Sequence, residues 1–317
     1  MRQRPPCSLS YGLSGLAAWS QSATDDRTTA VSNAIDLSDY DVPGRGRGIL
    51  DVIRWRYLLS LLIQKGTATR YRNSVLGWTW SYVKPAAQFA VYYFVMGIIL
   101  GLHQNVPNFA IYLFSGVVMV NLFNEAFTNA TDSIVANGSL VRKIYLPREL
   151  FPLAAIIGAV IHFLPQAAVL LLICLIVGWA PSLMAVAAVV LAVFLVVAWS
   201  LGLGLLFAGV NVRFRDAHNF VEIIRTFSTW TSPVLYTWTY VQSALPSWAF
   251  HIFMTNPLTV AVELFHVGFW DATVEQGHGL PAHFLVYLVA SFIVSLILLI
   301  AGQLTFRRFE RSFAQDL

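Results

Sequence analysis

From residue 78 onward the chain alternates long apolar runs with short polar connections. A helix crossing ~30 Å of hydrocarbon needs ~20 mostly apolar residues at ~1.5 Å each. Six runs meet this length or nearly so: residues 78–101, 109–131, 151–177, 183–210, 220–238 and 284–306. The pattern predicts an all-α polytopic membrane protein with six transmembrane helices. Trp78, Trp80, Trp179, Trp238 and Tyr240 fall near the predicted interfaces, where amphipathic rings prefer to sit.

Two stretches depart from simple spans. In residues 49–65, Ile49, Ile53, Tyr57 and Leu61 recur every four residues, while Asp51, Arg54 and Lys65 gather elsewhere. That pattern predicts an N-terminal amphipathic helix lying along the headgroup layer, with Leu58 and Leu62 intruding on its polar side. Residues 241–270 are apolar and aromatic but interrupted by Pro246 and by Asn256-Pro257. Each piece is too short to cross, so re-entrant helices before the last span are expected, with Pro246, Asn256 and Pro257 at an outer gate. Residues 1–48, rich in Ser, Thr, Asp and Gly, are expected to be a disordered tail rather than a cleaved leader, leaving 49–317 as the transmembrane domain.

Charge adds a direction. The chain is 57% hydrophobic and 11% charged, with a formal net charge of +4. None of its 20 Lys and Arg occurs in loops 102–109, 178–182 or 237–283. Basic residues are retained on the cytoplasmic side, so both termini are expected inside a plasma membrane. The positive charge flanks apolar spans, which argues for anionic lipid as a neighbour and against nucleic acid. Cys7 and Cys174 are too differently placed to pair.

Charges within spans are costly at ~2.5–3.5 kcal/mol each on insertion scales, so they normally face a bundle interior or a watery path. Glu222 and Arg225 are three apart and can pair; Glu125 and Asp132 are seven apart on one helix face. Lys84 can snorkel to the inner headgroups. Aromatic faces attract polarised C–H groups. Tyr92, Tyr93, Phe123, Phe127, Trp199, Trp230 and Tyr236 are therefore candidates to line a path through the bundle. Gly97 and Gly101 have the spacing that permits close helix approach.

The loop from Asn137 to Glu149 is short and basic, yet carries Ile144, Tyr145 and Leu146. Topology alone needs no such apolar trio, whereas a short helix docking into a partner's groove does. The tighter loop Asn211 to Asp216 would also touch a partner. No Gly-x-x-x-x-Gly-Lys-Ser/Thr loop occurs, so ATP is not held here in that way. The outer-loop His251, His266, His278 and His283 lack a tight ligand pattern, and no metal or catalytic residues are expected.

Several motifs then carry a resemblance. Arg70-Tyr71-Arg72-Asn73-Ser74-Val75-Leu76-Gly77-Trp78-Thr79-Trp80 with Pro85 resembles the opening signature of ABC-2 type permeases that export polysaccharides. Lys143, Pro147, Arg148, Glu149 and Pro152, then Arg215-Asp216, Ser232-Pro233-Val234-Leu235-Tyr236 and Asn256-Pro257-Leu258, resemble later landmarks in the same order. Within that family the chain is most similar to actinobacterial cell-wall galactan exporters, although Lys84 stands where many relatives have an uncharged polar residue. The resemblance implies a homodimer paired with two cytoplasmic ATPase subunits, which would bind ATP and Mg, moving a lipid-linked polysaccharide outward. It implies ATPase coupling through Arg142, Lys143, Ile144, Tyr145, Leu146, Pro147, Arg148 and Glu149, with Arg215 and Asp216. Alternatives from other classes are an ABC-2 permease for lipids or drugs, and a membrane-embedded polyprenyl-dependent glycosyl- or acyltransferase.

Overall fold

The computed structural model describes residues 55–70, 74–104, 106–143, 146–180, 182–274, 279–310 and Phe313. These all belong to one compact unit, Gly46–Leu317. The predicted tail, and Ile49, Asp51, Ile53 and Arg54 of the amphipathic helix, lie outside the described residues.

Among the described residues the elements are helical throughout. Helix α1 spans Arg56–Arg70 and α2 spans Trp80–Tyr92, continued by a π-helical turn Tyr93–Ile99. Then follow α3 (Phe109–Ala136), α4 (Gly138–Lys143), α5 (Leu150–Val177) and α6 (Leu183–Arg213). The chain continues with α7 (Ala217–Ser228), α8 (Trp238–Ala244), α9 (Ser247–Thr255), α10 (Pro257–Phe269) and α11 (Phe284–Glu310). Helices α3, α5, α6 and α11 are each long and apolar enough to cross a membrane; the pair α9–α10, bent by 77°, would make a fifth if it were one span.

Helix α3 is the axis of the bundle, packed against α5, α6, α7 and α10. It is less apolar than the other three long helices and more deeply buried. Protein surrounds it, so its polar side chains meet other helices rather than lipid. Helices α5 and α11 instead turn Leu172, Ile176, Leu285 and Leu296 outward, as a bilayer-facing surface should. Ends are set by local chemistry. Ser182 accepts a hydrogen bond from the Ala185 amide at 3.1 Å to start α6, and Gly178 stops α5 with φ of 98°.

The predicted run 220–238 is helical only to Ser228. Here hydroxyls compete for the backbone: Ser228 donates to the Arg225 carbonyl at 2.6 Å and Ser232 to the Ser228 carbonyl at 2.6 Å. Pro233 then removes an amide donor and disfavours helix at Ser232. Apolar composition cannot register this, which is why the run reads as a span.

Contacts sort the loops onto two ends of α3. At its C-terminal end, Lys65 donates to the Asn137 side chain at 2.8 Å, Gln303 donates to Glu149 at 3.0 Å, and Arg148 donates to the Glu310 carbonyl. At its N-terminal end, Trp270 donates to the Pro107 carbonyl at 2.7 Å and Asn108 to the Thr273 carbonyl at 3.0 Å. Lys143 and Trp270 therefore sit at opposite ends of the bundle, as the alternation of basic and base-free loops requires.

Helix α1 runs on to Arg70, past the Lys65 end that its pattern suggested. Leu58 and Leu62, the intruders on its polar side, are the residues packed against the cluster of Ile134, Val141, Leu146 and Phe151. Tyr57 and Leu61 on the expected apolar face are exposed. The helix thus has two apolar faces, one for the bundle and one turned away from it.

Candidate functional site

A stripe along α3 makes the site. Asn121, Asn124, Glu125, Thr128 and Asn129 follow the i, i+3, i+4, i+7, i+8 spacing of one helix face. They line a cavity of about 560 Å³ together with Arg70, Trp80, Lys84, Gln88 and Tyr92 on one side and Glu222, Arg225, Thr226 and Trp230 on the other. Polar groups dominate this lining, although the surrounding helices are apolar. Glu125 pairs with Arg70 and Glu222 with Arg225 at 2.6 Å. The Ser228 hydroxyl oxygen lies 2.9 Å from the Asn124 side chain. His218 bridges Asp132 at 3.2 Å and Glu222 at 3.8 Å.

Of the residues read from the sequence as a path, Glu125, Tyr92, Glu222, Arg225 and Trp230 meet at this cavity. Trp230 also lines a second, aromatic cavity of about 490 Å³ with Tyr236, Tyr240, Phe253 and Asn256. Phe123 and Phe127 are not brought to either. They lie on the far side of α3, stacked on each other at 5.7 Å and essentially inaccessible. Tyr93 packs beside Phe89 and Phe109. Trp199 lies over a separate apolar cleft with Asn256 and Pro257. The asparagines stand in the sequence at helical spacing, but charge and ring type alone do not mark them.

The broken segment keeps its backbone satisfied. Tyr112 of α3 lies 2.8 Å from both the Pro233 and Tyr236 carbonyls. Thr259 of α10 donates to the Thr231 carbonyl at 3.0 Å. Irregular backbone survives at such depth when protein covers it. Asn256 caps α10 by accepting from the Leu258 amide at 3.1 Å, Pro257 takes the first helical position, and Pro246 precedes α9. Behind them, His266 stacks on Tyr112 at 4.0 Å, with Glu263 3.9 Å away. Tyr112→Phe is expected to remove the single hydroxyl proton that the two carbonyls share and lower stability by ~1–2 kcal/mol. Thermal unfolding in detergent measures this; an unchanged midpoint would show that the turn is held by packing alone.

At the basic end, α4 presents Arg142 and Lys143 to solvent. Ile144 and Tyr145 lie outside the described residues. Leu146 is buried, Glu149 is buried against Gln303, and Arg148 stands 5.5 Å over the Phe313 ring while capping α11. Arg148 and Glu149 therefore fasten the loop to the C-terminal end of α11, where a cation also complements the helix dipole. Pro147 leads into α5, and Arg215 and Asp216 are exposed between α6 and α7. Among the described residues no three His, Cys, Asp or Glu stand where they would hold a metal ion.

Comparison with known proteins gives a consistent picture. The family described as ABC-2 type transporter matches residues 57–270. An O-antigen export system permease protein RfbA of Klebsiella pneumoniae is 26% identical over 264 residues, covering 82% of this chain and 96% of that protein. Another, from Myxococcus xanthus, is 26% identical over 272 residues, covering 86% and 99%. The capsule polysaccharide export inner-membrane protein CtrC of Neisseria meningitidis is 25% identical over 268 residues, covering 80% and 95%.

Proposed function

We infer function from the premise that this chain belongs to the ABC-2 type transporter family. It is the permease subunit of an exporter that moves a lipid-linked polysaccharide, cell-wall galactan on the sequence resemblance, across the bacterial plasma membrane. A separate ATPase binds ATP and Mg and supplies the work. The observation that carries this reading is the 560 Å³ cavity lined by amides, hydroxyls and paired charges within an apolar bundle. A glycan needs many hydrogen-bonding partners and can lay its C–H groups on aromatic faces. A lipid or hydrophobic drug would be served by an apolar lining instead.

Two copies complete the path. Helices α2, with its π-helical turn, and α7, which border the cavity, leave Val91, Phe94, Ile223 and Phe227 exposed. A polar cavity facing lipid is costly, so a second copy closing over it is favoured. Six crossings follow if α2 with its π-helical turn and α7 with the succeeding turn are counted with the four long helices. Both termini then lie in the cytoplasm, α1 sits at the inner headgroups, and α8, α9 and α10 form the outer gate.

Depletion of the protein followed by analysis of inner-leaflet lipids tests the function. A trapped lipid-linked galactan is expected; unchanged glycan lipids would refute the assignment. Coupling to the ATPase rests on α4. Arg142→Glu combined with Lys143→Glu is expected to cut co-purification of the ATPase about tenfold or more while leaving membrane insertion intact. Wild-type association and export in this double variant would remove α4 from the docking surface.

A further inference from the structure

Phe313, the last of the described residues, is fully buried three residues beyond the end of α11. It stands edge-on to Phe306 at 5.4 Å. The same apolar cluster holds Ile134 of α3, Val141 and Leu146 of α4 and the loop after it, Phe151 of α5 and Val212 of α6. Arg148 closes over the ring, its guanidinium 5.5 Å from the centroid. It also donates to the Glu310 carbonyl, which the end of α11 leaves without a helical partner. Seven residues earlier, on the same face of α11, Gln303 donates to Glu149 at 3.0 Å. The loop after α4 thus grips α11 at both positions, with Phe313 packed between loop and helix.

From α11 the contact continues through main chain. A carbon added at Gly209 of α6 would stand 3.2 Å from Phe306 Cα, and Gly202 faces Gly302 one level further along. At the opposite end of α6, a carbon added at Gly268 of α10 would stand 3.1 Å from the Ala185 carbonyl oxygen. Trp179, just before α6, donates to the Gly268 carbonyl at 3.1 Å. Helices that meet through backbone cannot absorb a displacement by turning side chains, so they move together. We propose that Phe313 is a positioning residue for energy coupling. With Arg148 it fixes the docking loop to α11, so that movement imposed by the ATPase passes through the α11–α6 pair to α10 at the outer gate. Without the ring, the loop would tilt under the ATPase while α11 stayed in place. The inference rests on reading this chain as the permease partner of a separate ATPase.

The test uses the full chain with its ATPase in proteoliposomes and a reporter, Ala249→Cys, in the aromatic cavity of the outer gate. Labelling by a membrane-impermeant thiol reagent is compared with and without ATP, after subtracting the signal of the chain that lacks the added cysteine. An ATP-dependent change is expected in this parent; its absence would remove the route to the gate. Phe313→Ala should retain ATPase co-purification and ATP hydrolysis yet cut the change about tenfold, as loss of a desolvated cation–ring contact warrants. Phe313→Leu keeps the apolar fill, so it should fold and unfold like the parent and still lower the change severalfold. Arg148→Lys should retain most of the change, and Arg148→Ala should lose it. Both side chains act through one contact, so Phe313→Ala with Arg148→Ala should lower the change no further than either alone. A full change in both Phe313 variants, or additive losses in the double variant, overturns the proposal. Loss of ATPase association in Phe313→Leu would make the residue part of the docking surface and overturn it as well. Labelling is read without glycan. An ATP response that depends on Phe313, with no galactan trapped on depletion, would leave this role standing and remove the galactan reading instead.

Discussion

Valine at Gly302 is expected to dismantle the crossing of α6 and α11 and with it the assembled protein. A Cβ added at Gly302 would stand 2.3 Å from the Gly202 carbonyl oxygen, and one at Gly202 would stand 2.9 Å from the Leu299 amide nitrogen. Both neighbours are backbone, so no side chain can rotate away. The helices would have to separate, losing the contacts that drive association where lipid is as apolar as leucine. Overpacking usually costs ~1–3 kcal/mol, and a clash with main chain belongs at or above the top of that range. Size-exclusion profiles and thermal midpoints in detergent report the loss. Gly158→Ala is the comparator, since nothing lies within 4 Å of its added carbon. A well-behaved Gly302→Val protein would mean that this crossing is looser than the backbone approach indicates.

Leucine replacing Asn121, Asn124 and Asn129 together is expected to lower export by about two orders of magnitude without loss of assembly. Each amide faces the cavity from one side of α3. A hydrogen bond is worth ~1 kcal/mol net, so three lost partners for a sugar approach ~3 kcal/mol, or ~100-fold. Leucine suits a membrane helix, so insertion is retained. Phe123→Leu changes the opposite, buried face and should shift thermal stability while leaving export by the assembled complex near normal. Export is followed as glycan reaching the outer surface per unit of protein. Undiminished export in the triple variant would place the route elsewhere.

Both expectations draw on features that differed in legibility. The long apolar runs predicted α3, α5, α6 and α11 to within a few residues, because a span needs little beyond length and hydropathy. The break at Asn256-Pro257 was equally legible, since proline cannot continue a helix without losing a donor. The pairing of Glu222 with Arg225 followed from a spacing of three. Conversely, Gly97 and Gly101 share a spacing that invites helix contact, yet the carbon added at Gly97 meets the Phe109 ring and none is met at Gly101. The close approach occurs at Gly202 and Gly302, a hundred residues apart. A motif within one helix says nothing about which helix will come near it.

The sequence by itself determined that this chain is a bundle of membrane helices with basic loops at one end and a broken helix near the other. Hydropathy and the retention of cations act along the chain and need no partner to be read. Only the tertiary structure decided which face of α3 is wet, that Arg70 reaches across to Glu125, that Arg148 and Glu149 are committed to the end of α11, and that Leu58 and Leu62 anchor α1. Each depends on the rotation of one helix against another. Side-chain packing between segments distant in sequence sets that rotation.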